Sequence, residues 1–178
     1  MFTVGSDLSG VFITGLYGSG KTSVAAEMAE TLERIGVPYG AVDLDWLTWF
    51  EVPGLDQAAL DRVYLENVTA MVENYRQAGV KRFIFAGSVA SRDEVAAVEA
   101  AAGILLRTVR LTASPEVIEE RLRADPVSGR INDLETVRRW IVEGAGLDVG
   151  DLVVTNDGRP IQETAREILD WLGWLRAP

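Results

Sequence analysis

The sequence predicts an α/β fold of three layers, in which a parallel sheet of five strands is covered by helices on both faces, and three observations carry that reading. Short apolar segments alternate with longer segments of helical period along the whole chain. Glycine, proline, serine or aspartate punctuates the junctions. A glycine-rich loop, "GLYGSGKT", joins the first apolar segment to the first helical one. Such alternation builds parallel strands with crossover helices, and sheets of this kind hold ligands beyond the carboxyl ends of their strands.

Val11 to Thr14 read as a buried first strand, and Val24, Ala25, Met28, Leu32 and Ile35 then recur at helical spacing until Gly36 stops the helix. Tyr39 to Leu44 form a second strand ending in acids. Asp56 opens a long helix with Leu60, Val63, Tyr64, Val68, Met71, Val72 and Tyr75 on one face, and Gly79 ends it. Arg82 to Ala86 make strand three. Ser91 and Glu94 form a capping box for a helix through Ala101, and Ile104 to Leu111 supply strand four. Ser114 and Pro115 are N-cap and first residue of a helix carrying Val117, Ile118 and Leu122, before the polar stretch "RADPVSGRIND". Leu134 to Val142 resume a helix, Asp151 to Val154 are the last strand, and Ile161 to Leu172 are an amphipathic closing helix. No repeat or low-complexity linker interrupts this order, so residues 1–178 are expected to form one domain, which buries roughly 70% of its unfolded surface at this length.

Composition narrows the chemistry. A formal charge of −10 argues against a phosphate-backbone interface, so no nucleic-acid partner is expected and small molecules are favoured. No apolar run is long enough to span a membrane and no signal-peptide pattern opens the chain, so a cytoplasmic protein, monomer or homodimer, is expected. The chain has neither cysteine nor histidine, which removes thiolate nucleophiles, imidazole bases and the usual zinc ligands. Acid–base work falls to carboxylates.

Gly15, Gly20, Lys21 and Thr22 match G-x-x-x-x-G-K-[ST], the phosphate-binding loop of nucleoside triphosphatases, in its required place between strand and helix. Glycines, with Gly18 as a further flexible point, let backbone N–H groups converge on phosphate oxygens. The helix N-terminus adds the positive end of its dipole. Lys21, expected at a solvent-facing turn, reaches the β/γ-phosphates of ATP or another nucleoside triphosphate, and Thr22 offers an oxygen to Mg²⁺. Tyr17, Ser19 and Ser23 within or beside the motif, and Asn156 in the turn "TNDGRP", complete the candidate nucleotide contacts.

Other strand ends carry the rest. "VTNDG" lacks the base-reading segment of a GTPase, and strand three, "RFIFAGS", ends in small neutral residues where many ATPases place a metal-binding acid. The acids instead close strand two, in "AVDLDW". Strand alternation is expected to put Asp43 and Asp45 on one side, facing the phosphate loop, one for the metal and one for an acceptor. Trp46, Trp49 and Phe50 follow directly and can stack on a planar or sugar-like substrate or cover the core. Asn67, Arg92, Tyr64 and Tyr75 are further candidates for the acceptor pocket.

These features together resemble the adenylate-kinase-like branch of P-loop small-molecule kinases: shikimate, gluconate and adenylylsulfate kinases and chloramphenicol phosphotransferase. The resemblance spans essentially the whole chain, and rests on "GLYGSGKT", Asp43 and Asp45, "FAGS", "EERLRADPVSGR" and "TNDGRP". It is nearest to tunicamycin-resistance-type ATP-binding proteins and nucleoside-antibiotic phosphotransferases. What it implies is a P-loop fold with an arginine-bearing lid at about 121–133, and transfer of the γ-phosphoryl group of ATP, with Mg²⁺, to a hydroxyl of a small molecule, a nucleoside-like antibiotic among the choices. It also implies that Asp45 takes the acceptor proton, that Asp43 belongs to the metal shell, and that Arg121 and Arg130 cover the transferred group beside Lys21. Arg123 is less favoured because Glu119 and Glu120, at i−4 and i−3, can hold it on the helix surface. Trp46-Leu47-Thr48 departs from the run that follows the second acid in adenylylsulfate kinases, and the arginine expected there in shikimate kinases is absent, so the acceptor stays open. A nucleoside monophosphate kinase and a nucleotide-binding regulatory module with slow hydrolysis are the alternatives.

Overall fold

The structure is a computed structural model that describes residues 8–124, 130–144 and 146–175. Among these residues five strands, β1 (Ser9–Gly15), β2 (Tyr39–Asp43), β3 (Arg82–Ala86), β4 (Leu106–Thr112) and β5 (Leu152–Thr155), form one parallel sheet in the order β2-β3-β1-β4-β5. Among the described residues six α-helices connect or flank them: α1 (Lys21–Arg34), α2 (Gln57–Gln77), α3 (Arg92–Ala102), α4 (Pro115–Ala124), α5 (Arg130–Glu143) and α6 (Ile161–Leu172). No helix among the described residues is long and apolar enough to cross a membrane.

The strand period sorts the core into two layers. Val11 and Ile13 of β1 face one side, where Val24, Met28 and Leu32 of α1 meet Ile168 and Leu169 of α6. Phe12 points the other way, into Phe83 and Phe85 of β3 and Val68, Val72, Val95 and Val98 of α2 and α3. A smaller cluster of Ile118, Leu122 and Val137, with Leu16 and Tyr17 against it, seats α4 and α5 on the loop that follows β1. Because β1 lies between β3 and β4, its carboxyl end opens at the point where the strand order reverses, and the phosphate loop therefore occupies the sheet's ligand crevice.

Side chains explain where the element ends differ from expectation. β4 begins at Leu106 rather than Ile104 because the Glu99 carboxylate accepts the Leu106 N–H at 2.8 Å before the ladder takes over. At β5, Asp151 stands just outside the strand, where its carboxylate accepts the Thr108 N–H at 2.8 Å. Strand two is the larger correction. It stops at Asp43, and Leu44–Thr48 turn into a 3-10 helix whose first N–H groups are capped by Asp43, which accepts from the Asp45 N–H at 3.1 Å. Leu44, 1% exposed, is drawn into the core by this turn. Strand alternation therefore does not extend to Asp45.

Candidate active site

The phosphate loop is built on three glycines that no other residue could replace without strain. Gly15, Gly18 and Gly20 have φ of +146°, +80° and +99°. A Cβ on Gly15 would stand 2.4 Å from the Leu111 carbonyl oxygen, and one on Gly20 would stand 2.5 Å from Asn156 Nδ2. Gly18 is shut in by Leu122 and Ile118, so α4 leans directly on the loop. Helix α1 starts after Gly20 with no side-chain cap and no acid in its first turn, which leaves its first N–H groups to an anion.

Lys21 is a correction to the expected solvent-facing position. It is 7% exposed, its Nζ donates to the carbonyls of Gly15 at 3.0 Å and Leu16 at 3.3 Å, and it lies 5.2 Å from the centre of the Tyr17 ring. Thr22 and Ser23 are exposed, and the Thr22 hydroxyl donates to Asp43 Oδ2 at 2.6 Å. A hydroxyl and a carboxylate so paired are hard oxygen donors, the kind Mg²⁺ takes singly or in pairs beside phosphate oxygens. No cluster of three or more metal-binding side chains forms among the described residues.

Behind the loop stands a polar support that the motif does not reveal. Asn156, 3% exposed, donates from Nδ2 to the Ser19 carbonyl at 2.8 Å and accepts from the Thr164 hydroxyl at 3.1 Å. One bond from each end of its amide goes to the protein, so it supports the loop from behind. Arg121 works with it. Its guanidinium donates to the carbonyls of Gly18 at 3.1 Å, Ser19 at 3.3 Å and Asn156 at 2.8 Å. Ser19 itself is fully buried, and its hydroxyl has no hydrogen-bond partner among the described residues.

Asp45 occupies the wall between two hollows. One is the phosphate-loop cleft, lined by Gly18, Lys21, Thr22, Asp43, Trp46, Trp49 and Arg121. The other is a cavity of about 720 Å³ between the 3-10 turn, α2 and α3, lined by Tyr17, Phe50, Leu60, Tyr64, Ser88 and Val98, among others. Asp45, Tyr17 and Thr48 border both. The carboxylate is aimed by the end of β3: Oδ1 accepts the Ser88 N–H at 3.0 Å and Oδ2 the Ser88 hydroxyl at 3.3 Å. Burial, then the charges of Asp45 and Glu94, push the Tyr64 phenol above its ordinary range, so it faces the cavity as a proton-bearing donor.

The remaining candidates separate. Trp46 and Trp49 are 64% and 71% exposed, their rings 4.7 Å apart, and they flank the phosphate side rather than the cavity against α2 and α3. Asn67 is exposed on α2 and does not line the cavity, a correction that follows from its position beside the buried face of Val68 and Val72. Arg92 turns away to Asp151, 4.0 Å distant, and Tyr75 packs over Gly40 at the opposite end of β2. Arg123 pairs with Glu119 at 2.6 Å on the surface. Arg130 opens α5 as backbone, but its side chain, and residues 125–129 of the expected lid, lie outside the described residues. Asp61, Asp93 and Glu94 line the cavity without having been anticipated there. Asp61 was findable, because Asp61, Leu65, Val68 and Val72 share one face of α2, so an acid stands in an apolar stripe.

No protein-family model matches the sequence, and no curated protein matches it. Solved structures do. A sugar kinase from Janibacter sp. HTCC2649 superposes with a TM-score of 0.68 at 18% identity, over 94% of this chain and 96% of that one. The tunicamycin resistance protein of Deinococcus radiodurans gives 0.65 at 19% identity, over 96% and 99% of the two chains. APS kinase of Mycobacterium tuberculosis, solved with AMPPNP and APS, gives 0.62 at 23% identity, over 94% and 98%. The chain thus has the fold of the P-loop small-molecule kinases along nearly its whole length.

Proposed function

We propose that the protein is an ATP- and Mg²⁺-dependent phosphotransferase that moves the γ-phosphoryl group onto a hydroxyl of a small molecule. The observation that carries this reading is the position of Asp45, whose carboxylate borders both the phosphate-loop cleft and the 720 Å³ cavity. A proton acceptor on that shared wall is where an acceptor hydroxyl and a terminal phosphate would meet.

In this reading the loop from Gly15 to Ser23 wraps the triphosphate, and Lys21 exchanges its two carbonyl partners for phosphate oxygens. Thr22 and Asp43 hold the metal shell; Mg²⁺, when bound, neutralises charge on the phosphates. Asp45 accepts the hydroxyl proton as the acceptor oxygen bonds to the γ-phosphorus and the bond to the bridging oxygen breaks, releasing ADP. Tyr64 donates a hydrogen bond to the acceptor. Trp46 and Trp49 supply flat surfaces at the cleft mouth, which suits a planar or nucleoside-like moiety. The relative named for tunicamycin resistance supports an antibiotic-directed version of the same chemistry.

A phosphate acceptor fits less well. The cavity is lined by Asp45, Asp61, Asp93 and Glu94, and neither lysine nor arginine is among its described lining residues. A nucleoside monophosphate would bring its charge against these four carboxylates.

Asp45→Asn tests the proposal. The amide can still accept from the Ser88 N–H and, with the Ser88 hydroxyl turned, donate to it, so the site keeps its shape. Acceptor-dependent ATP consumption, measured across a panel of hydroxyl compounds, should fall by ~10²–10⁴ while ATP affinity stays put. A loss within about threefold of the parent removes Asp45 from the reaction. If no acceptor stimulates turnover, the slow-hydrolysing regulatory module is the better reading.

A further inference from the structure

On the other side of the phosphate loop, a second cavity of about 310 Å³ opens between the carboxyl ends of β1 and β4, α4 and α5. Its wall is apolar, made chiefly by Leu16, Val89, Trp140, Ile141 and Leu147, and it holds one charged group, Arg110. Among the described residues the buried Arg110 Nε has no hydrogen-bond partner, and no ion pair or hydrogen bond to the Arg110 side chain forms. No carboxylate is among the residues lining the cavity. A guanidinium cannot lose its charge near neutral pH, so half-burying it beside tryptophan and leucine without a counter-ion is unfavourable. Buried polar groups are otherwise nearly always satisfied, and this one faces a hollow of ligand size.

The geometry points to a binding site for a small apolar carboxylate, its body against Trp140 and Leu147 and its anion on the Arg110 fork. The site is distinct from the acceptor cavity, with which it shares only Val89 among the residues lining both. Gly15 and Leu16 of the phosphate loop form part of its wall, so its occupant would touch the loop from behind, as an effector would. This inference stands independently of the phosphotransferase reading.

Phenylacetate and its neutral isostere phenylacetamide are matched probes, with 4-methylpentanoate as the aliphatic carboxylate. Calorimetry on the full chain should show saturable binding of a carboxylate, and binding of the amide at least tenfold weaker. Arg110→Met should weaken carboxylate binding at least tenfold while the melting temperature does not fall. Leu147→Glu is the second variant, because Leu147 is 64% exposed and can change without disturbing the core. It supplies the missing carboxylate internally, and should abolish probe binding. The inference is overturned if neither carboxylate binds saturably, if amide and acid bind alike, or if both variants bind as the parent does.

Discussion

Replacing Asn156 with alanine separates the phosphate loop from the support behind it. The substitution removes two buried hydrogen bonds, Nδ2 to the Ser19 carbonyl at 2.8 Å and the Thr164 hydroxyl to Oδ1 at 3.1 Å. The two partners left behind are not equivalent. The Ser19 carbonyl keeps Arg121 at 3.3 Å, so its loss is that of one net hydrogen bond, about 1 kcal/mol. The Thr164 hydroxyl is 0% exposed and is left unpaired, which costs about 1–3 kcal/mol. Together they come to about 3 kcal/mol, or a fall of roughly 6–12 °C in melting temperature for a chain of this size. Urea unfolding followed by circular dichroism measures the loss. Adding Thr164→Val to the alanine variant removes the orphaned hydroxyl, so the double variant should be no less stable than Asn156→Ala alone, a strong departure from additivity. Triphosphate affinity should drop with the single change because the Ser19 turn is no longer pinned. A loss under about 1 kcal/mol, or strict additivity in the pair, would refute the account of Asn156 as the loop's support.

Lys21→Met keeps an unbranched stem and removes the ammonium that lies over the Tyr17 ring; calorimetry with a nonhydrolysable ATP analogue should show triphosphate binding lost while circular dichroism is unchanged. Gly15→Ala should destabilise far more than Gly158→Ala in thermal melts. At Gly15 the new Cβ meets the Leu111 carbonyl oxygen at 2.4 Å, whereas at Gly158, with φ +62° and nothing within 4 Å, only the left-handed backbone cost of about 1–2 kcal/mol applies. Arg121→Ala should weaken nucleotide binding by releasing the Gly18, Ser19 and Asn156 carbonyls. Arg123→Ala, whose partner Glu119 also pairs with Arg138 on the surface, should shift stability by no more than about 1 kcal/mol and leave affinity unchanged in the same titration.

What could be read from sequence is what short-range chemistry determines. The phosphate loop is legible because its glycines, lysine and threonine act within one strand-to-helix turn. β3 and α6 match their predicted spans because period and punctuation agree at both ends. The capping box was also local: Ser91 accepts the Glu94 N–H at 3.4 Å, although the Glu94 carboxylate reaches back to the Ala90 N–H rather than that of Ser91. Glu119 holds Arg123 through a spacing of four, which is likewise visible in the letters.

Only the tertiary structure decided the rest, because the partners are far apart in the chain. Asp45 belongs to the site through Ser88, 43 residues on, and through a 3-10 turn that ends the strand alternation from which its direction was inferred. Lys21 is buried because Tyr17 and the loop carbonyls enclose it, an outcome no local propensity encodes. Asn156 meets Ser19 across 137 positions and Arg121 meets Gly18 across 103, so neither could be recognised as a support of the loop before the chain was folded. Arg110 shows the same limit most plainly: in the sequence it is one charged residue in an alternating strand, and it becomes a lone cation in an apolar hollow only when α5 and the Gly146–Leu147 turn close over β4. Local periodicity determines which residues face inward; what they face is determined by elements that arrive from elsewhere in the chain.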